Sequence, residues 1–449
     1  MVIAQTSLVK RHHHKDITFV RAILIYIAVS LFLFFEMAVQ VSPSVMAQNL
    51  MHDLNVSSLS LGLISSVYFY TYTAMQIPSG LLFDRLSPGK VIFSAILVCT
   101  TGTFIFGYAT NFYLACVARL LMGMGSAFAF VSVLVMAYKL FQSKWFSVLA
   151  GITQMLAAFG AMAGQMPISL LVIDIGWRNT MLVLGIIGTF LAITVFCLIG
   201  GKKHLVRKSI KVIEEEKDVY NIKRSLALVL SKQQTWYIAI YACLLWAPMS
   251  GFASLWGTSF LETFDGLSKN DSAFYCSMMW LGLACGSPVL GIFSTLMNNK
   301  VTALIISAAI GMIAFGCILE LKMQGILLGL ALFLSGAACS GQALSFSLVK
   351  DNNTRSTRGT AIAFNNMAVV ISGAAFQPAI GWLLDRASPT LNKIDNFKFA
   401  ISAILIAYIV GFLVAIIFVR EPLKDGSKNK RYSREDLFEP DMGKILDKF

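Results

Sequence analysis

Charged residues are scarce in this chain of 449 residues. Asp, Glu, Lys and Arg make up only 13% of it, whereas 57% is hydrophobic, and the mean hydropathy is +0.72. This composition excludes an ordinary soluble domain, which carries about 25% charged residues. There is no CxxC or HExxH motif, the five His lie outside the apolar segments, and the eight Cys lie inside them. A disulfide framework, a metal site, a cofactor and an enzymatic function are therefore not expected.

Long apolar segments dominate the sequence instead. A helix needs about 20 apolar residues to cross the hydrocarbon core of a bilayer. Twelve segments meet this condition: 22–46, 58–83, 91–110, 112–138, 145–173, 179–200, 236–260, 272–297, 301–319, 323–349, 359–384 and 399–419. None shows the alternating pattern of a membrane β-barrel strand. The sequence thus predicts an all-α membrane protein with twelve transmembrane helices.

The polar segments predict the organisation and the orientation of the chain. They give an N-terminal tail (1–21), a six-helix bundle (22–200), a linker (201–235), a second six-helix bundle (236–419) and a C-terminal tail (420–449). Of the 36 Lys and Arg, 29 fall on the side that holds both termini and the linker, 6 fall on the other side, and one lies within a span. The positive-inside rule therefore places both termini in the cytoplasm. The net charge of +13 indicates contact with the lipid surface, not with nucleic acid.

Internal repetition is visible within each predicted bundle. Pro78, Pro167, Pro288 and Pro378 end the second, fifth, eighth and eleventh segments, at intervals of 89 residues in the first half and 90 in the second. The nonapeptide GLLFDRLSP, from Gly80, returns as GWLLDRASP 301 residues later. This spacing predicts a three-helix unit used four times. Because three is odd, alternate units enter the membrane from opposite sides, as in the 3+3 inverted repeats of some transporters.

Two motifs resemble those of the major facilitator superfamily. GLLFDRLSPGK is similar to the family signature G-x-L-x-D-R-x-G-R-R after the second helix, and RLLMGMGSA is similar to the fourth-helix pattern R-x-x-x-G-x-G. The matching residues are Gly80, Leu82, Asp84, Arg85, Arg119, Gly123 and Gly125; Ser87 and Gly89 depart from the signature, which leaves Lys90 as the one downstream cation. Several short apolar strings also resemble a bacterial branch related to the lysosomal dipeptide-transporting facilitators. The resemblance implies a transporter in the bacterial inner membrane. It also implies a gate in which Asp84 and the basic residues tie the halves together, with Asp385 and Arg386 as the second copy.

Two charges lie deep within predicted spans, Glu36 in the first and Arg119 in the fourth. Each costs roughly 2.5–3.5 kcal/mol at the bilayer centre, so each is expected to face protein or water and to have a partner. Desolvation favours a neutral carboxyl, whereas a nearby Arg favours a charged one. Approach and separation of Glu36 and Arg119 are therefore a hypothesis for proton coupling. The alternative is a permanent Glu36–Arg119 pair in a uniporter.

Other polar residues within the spans are candidates for substrate contact, although each could instead make only interhelical hydrogen bonds. They are Gln40, Tyr68, Tyr72, Gln76, Gln154, Trp246, Gln342, Asn365 and Asn366. The segment from Gly160 to Gly164 is a GxxxG pattern, which predicts close helix packing.

The predicted function is alternating-access transport of a small polar solute by a monomer, with an amino acid or short peptide favoured and with protons as a possible coupling ion. A multidrug or metabolite exporter of the same fold is one alternative. The other is a substrate-sensing receptor on a transporter scaffold.

Overall fold

Helices are the only regular secondary structure among the residues described by the computed structural model, which are 19–141, 146–199, 222–354, 357–386 and 392–421. The predicted terminal tails and linker lie mostly outside these ranges. The helices are α1 (Phe19–Val41), α2 (Pro43–Asp53), α3 (Ser58–Arg85), α4 (Pro88–Gly107), α5 (Phe112–Ser126), α6 (Ala129–Leu140), α7 (Phe146–Ala163), α8 (Met166–Ile199), α9 (Ile222–Leu230), α10 (Gln233–Ala247), a π-helix (Pro248–Trp256), α11 (Gly257–Phe264), α12 (Lys269–Leu296), α13 (Lys300–Glu320), α14 (Gly325–Ala338), α15 (Gly341–Asp351), α16 (Arg358–Asp385) and α17 (Lys393–Ile417).

Side-chain caps mark where several helices begin. In each of five helices, a Ser or Asn before the first residue accepts a hydrogen bond from the backbone N–H three positions later, which satisfies one of the free donors of the first turn. The capping residues are Ser57, Asn111, Ser268, Asn299 and Asn392. Short polar residues in the loops therefore fix the starts of the apolar helices.

Ten helical stretches among the described residues are long and apolar enough to cross a membrane. One of them, Gly151–Ile199, has 49 residues and contains a kink at Gly176, where φ is +79°. Helix α3 is not among the ten although it has 28 residues, because Tyr, Thr and Gln side chains dilute its apolar character. The protein is thus all-helical with ten candidate spans, and the twelve-span layout stays a prediction.

Breaks recur in the first helix of each predicted three-helix unit. Helix α1 gives way to α2 at Ser42, and α5 gives way to α6 after Ser126. In the second half, the π-helix separates α10 from α11, and α14 gives way to α15 after Ala338. This regularity agrees with the fourfold repeat that the proline spacing predicts.

The residues before 200 and those after 221, here called the two halves, meet along α3 and α16. The distal end is the end where α3 begins and α16 ends; the proximal end is where α1 begins. Among the described residues, two bonds between side chains join the halves at the distal end: Lys269 Nζ donates to Asn49 Oδ1 at 2.7 Å, and Ser169 Oγ donates to Asn270 Oδ1 at 2.8 Å. The two halves are therefore in direct contact at this end.

Candidate functional site

Glu36 is buried within α1, where 2% of its surface is exposed. The hydroxyl of Tyr68, on α3, donates a hydrogen bond of 2.5 Å to Glu36 Oε1. Tyr68 is itself fully buried. A hydrogen bond to a buried carboxyl group offsets part of the cost of removing it from water. As expected for an intramembrane acid, Glu36 faces protein and has a partner.

Arg119 is buried within α5 and has few good hydrogen bonds. Its guanidinium donates to the carbonyl oxygens of Val39 and Ser65, both at 3.5 Å, and to Met122 Sδ at 3.8 Å. Its Nε has no hydrogen-bond partner among the described residues. A guanidinium offers five N–H donors, so long bonds to two carbonyl groups and a sulfur leave much of that capacity unused. Arg119 is a buried cation with unused hydrogen-bonding capacity.

Tyr68 contacts both charges and lies between them. Arg119 Cζ is 4.6 Å from the centroid of the Tyr68 ring, a cation–π contact, while the hydroxyl of the same ring is bound to Glu36. The ion pairs of the described residues, which extend to 4.0 Å, do not include Glu36 with Arg119. Tyr68 therefore contacts both charged groups, and the described residues show no direct ion pair between them.

Glycine brings the helices of this cluster together. A Cβ at Gly123 would lie 2.2 Å from the carbonyl oxygen of Tyr68, and one at Gly125 would lie 2.4 Å from that of Ala95. The two glycines of the fourth-helix pattern therefore let α5 pack against α3 and α4. The GxxxG segment acts similarly, since a Cβ at Gly160 would lie 2.5 Å from the carbonyl oxygen of Phe34 in α1. Its predicted role in close packing is confirmed.

The predicted polar face of α3 leads away from the charged cluster. The rings of Tyr68 and Tyr72 stack with centroids 6.1 Å apart, and Tyr72 and Gln76 are half-buried. Gln76 Oε1 accepts a hydrogen bond of 3.2 Å from Asn366 Nδ2, on α16. A continuous row of side chains thus runs from Glu36 to the second half.

No hydrogen bond among the described residues connects the remaining candidates to this row. Asn365 Nδ2 donates to Ser345 Oγ at 2.7 Å, while its buried Oδ1 has no partner. Trp246 packs edge-on against Trp280 at 6.3 Å, and the buried Nε1 of Trp280 has no partner either. Gln40 is half-buried, Gln342 is buried and Gln154 is exposed. Ser345 and Trp280 carried no signal in the sequence.

The proposed gating residues divide between the two ends of the molecule. Gly80 and Lys90 are exposed at the proximal end. The side chains of Asp84 and Arg85 lie outside those that the structure describes, although their backbone closes α3. At the distal end, Asp385 ends α16, and the Arg386 guanidinium lies over the ring of Trp382, 4.4 Å from its centroid.

A second acidic residue makes a charge cluster at the distal end that the sequence did not reveal. Asp53 Oδ2 accepts hydrogen bonds from Trp177 Nε1, at 2.9 Å, and from the Arg178 guanidinium, while its Oδ1 pairs with the His52 ring. Hydrogen bonds from His52, Trp177 and Arg178 lower the pKa of Asp53 to about 2. Asp53 is therefore held as a carboxylate and joins the end of α2 to α8.

A helical membrane fold that buries two opposite charges and has two halves in contact is typical of a transporter. Sequence comparison identifies the kind of transporter. The family model of the Major Facilitator Superfamily matches residues 26–376 and, in a second match, 266–440. The chain belongs to this superfamily of transporters and is an integral, multi-pass membrane protein.

Several known proteins are similar to this chain. The L-galactonate transporter of Escherichia coli, named as probable, is 24% identical over 383 residues, which cover 83% of this chain and 79% of that protein. A probable sulfoacetate transporter of Cupriavidus necator is 30% identical over 151 residues, or 32% of this chain and about a third (34%) of that protein. A solved bacterial homologue of the lysosomal transporter Spinster, in an inward-facing conformation, has the same fold, with a TM-score of 0.71, 15% identity, and coverage of 88% of this chain and 97% of that one.

Proposed function

We propose that this protein carries a small organic anion across the membrane together with a proton, by alternating access. The observation that carries this proposal is the buried guanidinium of Arg119, which has no carboxylate partner among the described ion pairs and an Nε without a hydrogen bond. A buried cation is strongly stabilised by an anion that reaches it. A guanidinium also binds a carboxylate or sulfonate through two parallel hydrogen bonds.

Glu36 supplies a means of coupling the anion to a proton. When Glu36 is ionised, its charge and that of Arg119 sum to zero. When Glu36 is protonated, the cluster around Tyr68 carries one positive charge, which favours an anion in the same low-dielectric space. Binding of a proton and binding of the anion therefore support each other, as linkage requires of a symporter. Because Tyr68 lies between the two charges, the guanidinium of Arg119 can bind the solute.

The half-buried end of the polar face is the proposed route of the solute. Tyr72 and Gln76 continue from Tyr68 along α3, and Gln76 is bonded to Asn366 in the other half. A solute that contacts this row touches both halves, so its binding can bias their relative movement. Gln40, Gln154, Trp246, Gln342 and Asn365 remain candidates for further contacts.

The names of the relatives favour an organic acid. Sulfoacetate and L-galactonate, the solutes after which they are named, are both anions at neutral pH. An amino acid or short peptide is the second candidate, because a zwitterion could use Glu36 and Arg119 at its two ends. An exporter or a receptor of the same fold would also bind its solute, so uptake by proteoliposomes, rather than binding, distinguishes them from the proposed transporter.

Other features of the proposal follow from the sequence. Twelve helices in two bundles of six, with both termini in the cytoplasm, agree with the Lys and Arg distribution. Asp84 and Arg85 form the proximal gate by resemblance to the family motif. The protein acts as a monomer in the plasma membrane of a bacterium.

A thermal-shift screen of the purified protein tests the proposal. The panel contains L-galactonate, sulfoacetate, neutral sugars, amino acids and dipeptides, because a ligand at one hundred times its Kd stabilises the folded state by about 2.7 kcal/mol. We expect the organic acids to raise the Tm of the native protein, and more at low pH. Arg119→Lys, which keeps the charge but loses the planar fork, should weaken this response, whereas Arg178→Lys should not. Stabilisation by amino acids or dipeptides alone would replace the proposed substrate class, and an undiminished response in Arg119→Lys would remove Arg119 from the site.

A further inference from the structure

The second copy of the repeated nonapeptide makes a contact between the halves. Asp385, the last residue of α16, points its carboxylate at the first turn of α3. Its Oδ1 accepts from the backbone N–H of Ser58 at 2.9 Å, and its Oδ2 accepts from that of Leu59, also at 2.9 Å. A carboxylate from one half therefore caps a helix of the other half.

Two backbone N–H groups in the first turn of α3 depend on this contact for their hydrogen bonds. The first four N–H groups of a helix have no partner within it. In α3, the Oγ of Ser57 accepts from Ser60 N–H at 3.3 Å, and the first ordinary helical bond, of 2.9 Å, runs from Leu61 N–H to the carbonyl oxygen of Ser57. Asp385 accepts from the N–H groups of Ser58 and Leu59, and its negative charge also interacts favourably with the positive end of the helix dipole. Separation of the halves here would leave Ser58 and Leu59 to be satisfied by water.

Two glycines allow the backbones to touch at this place. A Cβ at Gly381 would lie 2.4 Å from the carbonyl oxygen of Ser58, and one at Gly62 would lie 2.6 Å from that of Gln377. Any side chain at either position would push α3 and α16 apart. The distal contact thus combines a charged cap with a close backbone crossing.

The first copy of the nonapeptide is in a different state. Gly80 corresponds to Gly381, and Gly359, 301 residues after Ser58, corresponds to Ser58. Both Gly80 and Gly359 are exposed, and a Cβ on either would have no described atom within 4 Å. Of two equivalent glycine crossings, the distal one is therefore packed, whereas the proximal one makes no such contact among the described residues.

We propose that Asp385 is a distal latch, a positioning residue that holds the distal end closed and must release α3 each time that end opens. The repeated nonapeptide then serves two gates on opposite sides of the membrane, which close in alternation. This proposal rests on the proposed transport by alternating access, but not on the identity of the solute.

The test is the distribution of distances across the distal end in the full-length protein, in lipid nanodiscs without solute. Spin labels are introduced on non-canonical residues at Tyr108 and Gln324, which are exposed in distal loops of the two halves, so that the eight Cys stay in place. We expect Asp385→Ala to raise the ratio of open to closed distal ends about fivefold, and Asp385→Asn, which keeps one acceptor, to raise it less. Gly381→Ala should open the same end.

Matched variants separate a latch from a structural cap. Asp174 is an exposed carboxylate near the distal end and has no hydrogen bond or ion pair with a described residue. Asp174→Asn and Gly80→Ala should leave the distances unchanged. Hydrogen exchange of the peptide containing Ser58 and Leu59 should accelerate in Asp385→Ala, which reports the bonds directly.

Unchanged distances in Asp385→Ala would overturn the latch, even with a lower Tm, because a purely structural cap changes stability and not the opening ratio. Equal opening in Gly80→Ala would also overturn it. A failure of the proposed function would appear elsewhere, as absence of a thermal response or of uptake in the native protein.

Discussion

Replacement of Glu36 by Gln is the sharpest perturbation of the proposed coupling. Gln has the same shape as a protonated Glu and still offers an oxygen to the Tyr68 hydroxyl, which is 2.5 Å from Glu36 Oε1 in the native protein. It cannot ionise, however. The variant thus holds the cluster at the single positive charge of Arg119 throughout the cycle, and proton release is lost.

The expected loss of accumulation follows from one carboxyl group that binds and releases one proton in each transport cycle. A pH gradient of one unit is worth about 1.4 kcal/mol per proton, which supports at most a tenfold accumulation of a monovalent anion that moves with one proton. In Glu36→Gln the accumulation should fall to about onefold, whereas exchange of labelled for unlabelled solute at equal pH should continue.

The assay is uptake into proteoliposomes with an imposed pH gradient, alongside counterflow without one. Glu320→Gln is the matched control, because Glu320 is an exposed carboxylate paired with Lys398 at one end of α13. That variant should accumulate solute like the native protein. Uphill uptake that persists in Glu36→Gln with its pH dependence intact would refute the reasoning and leave Glu36 as a structural residue.

Three further predictions concern packing, stability and gating. Gly123→Ala should destabilise the protein by about 1–3 kcal/mol through overpacking, as measured by thermal unfolding, whereas Gly151→Ala, with no described atom within 4 Å of its Cβ, should not. Because the folded-state pKa of Asp53 is lowered from 3.8 to about 2, its contribution to stability is present above pH 4 and is lost as the pH falls toward 2. The Tm difference between the native protein and Asp53→Asn should shrink over that range. A Tm difference that does not change with pH would show that the contacts of the ionised carboxylate, including that with Arg178, do not cause the stabilisation. Asp84→Asn should shift the transporter toward the inward-open state, and spin-label distances across the proximal mouth that fail to lengthen would contradict this.

Local patterns in the sequence predicted the parts of the site that lie on one helix. Residues four apart share a helix face, so Tyr68, Tyr72 and Gln76 were expected on one side of α3, where they lie. The glycines of the fourth-helix pattern likewise predicted that another helix packs closely here. In the structure, the backbone of Tyr68 in α3 lies against Gly123. Membrane class, helical fold and superfamily follow from composition and motifs in the same way.

Contacts between helices could not be read from those patterns. The bond between Glu36 and Tyr68 depends on the rotation of α1 and α3 about their axes, which no spacing within either helix determines. Residue type indicated that Glu36 and Arg119 need partners, but it did not indicate the aromatic ring that contacts both. The cap that Asp385 places on α3 depends on how two halves meet, although the repeated nonapeptide did mark the position.

The most direct measurement of the central claim is uptake of labelled L-galactonate and sulfoacetate by proteoliposomes that contain the native protein, with the interior more alkaline than the exterior. The account predicts accumulation of at least one of these anions above its external concentration, collapse of the gradient by a protonophore, and loss of the accumulation in Arg119→Lys. Accumulation of neither anion, or accumulation of amino acids or dipeptides instead, would contradict it.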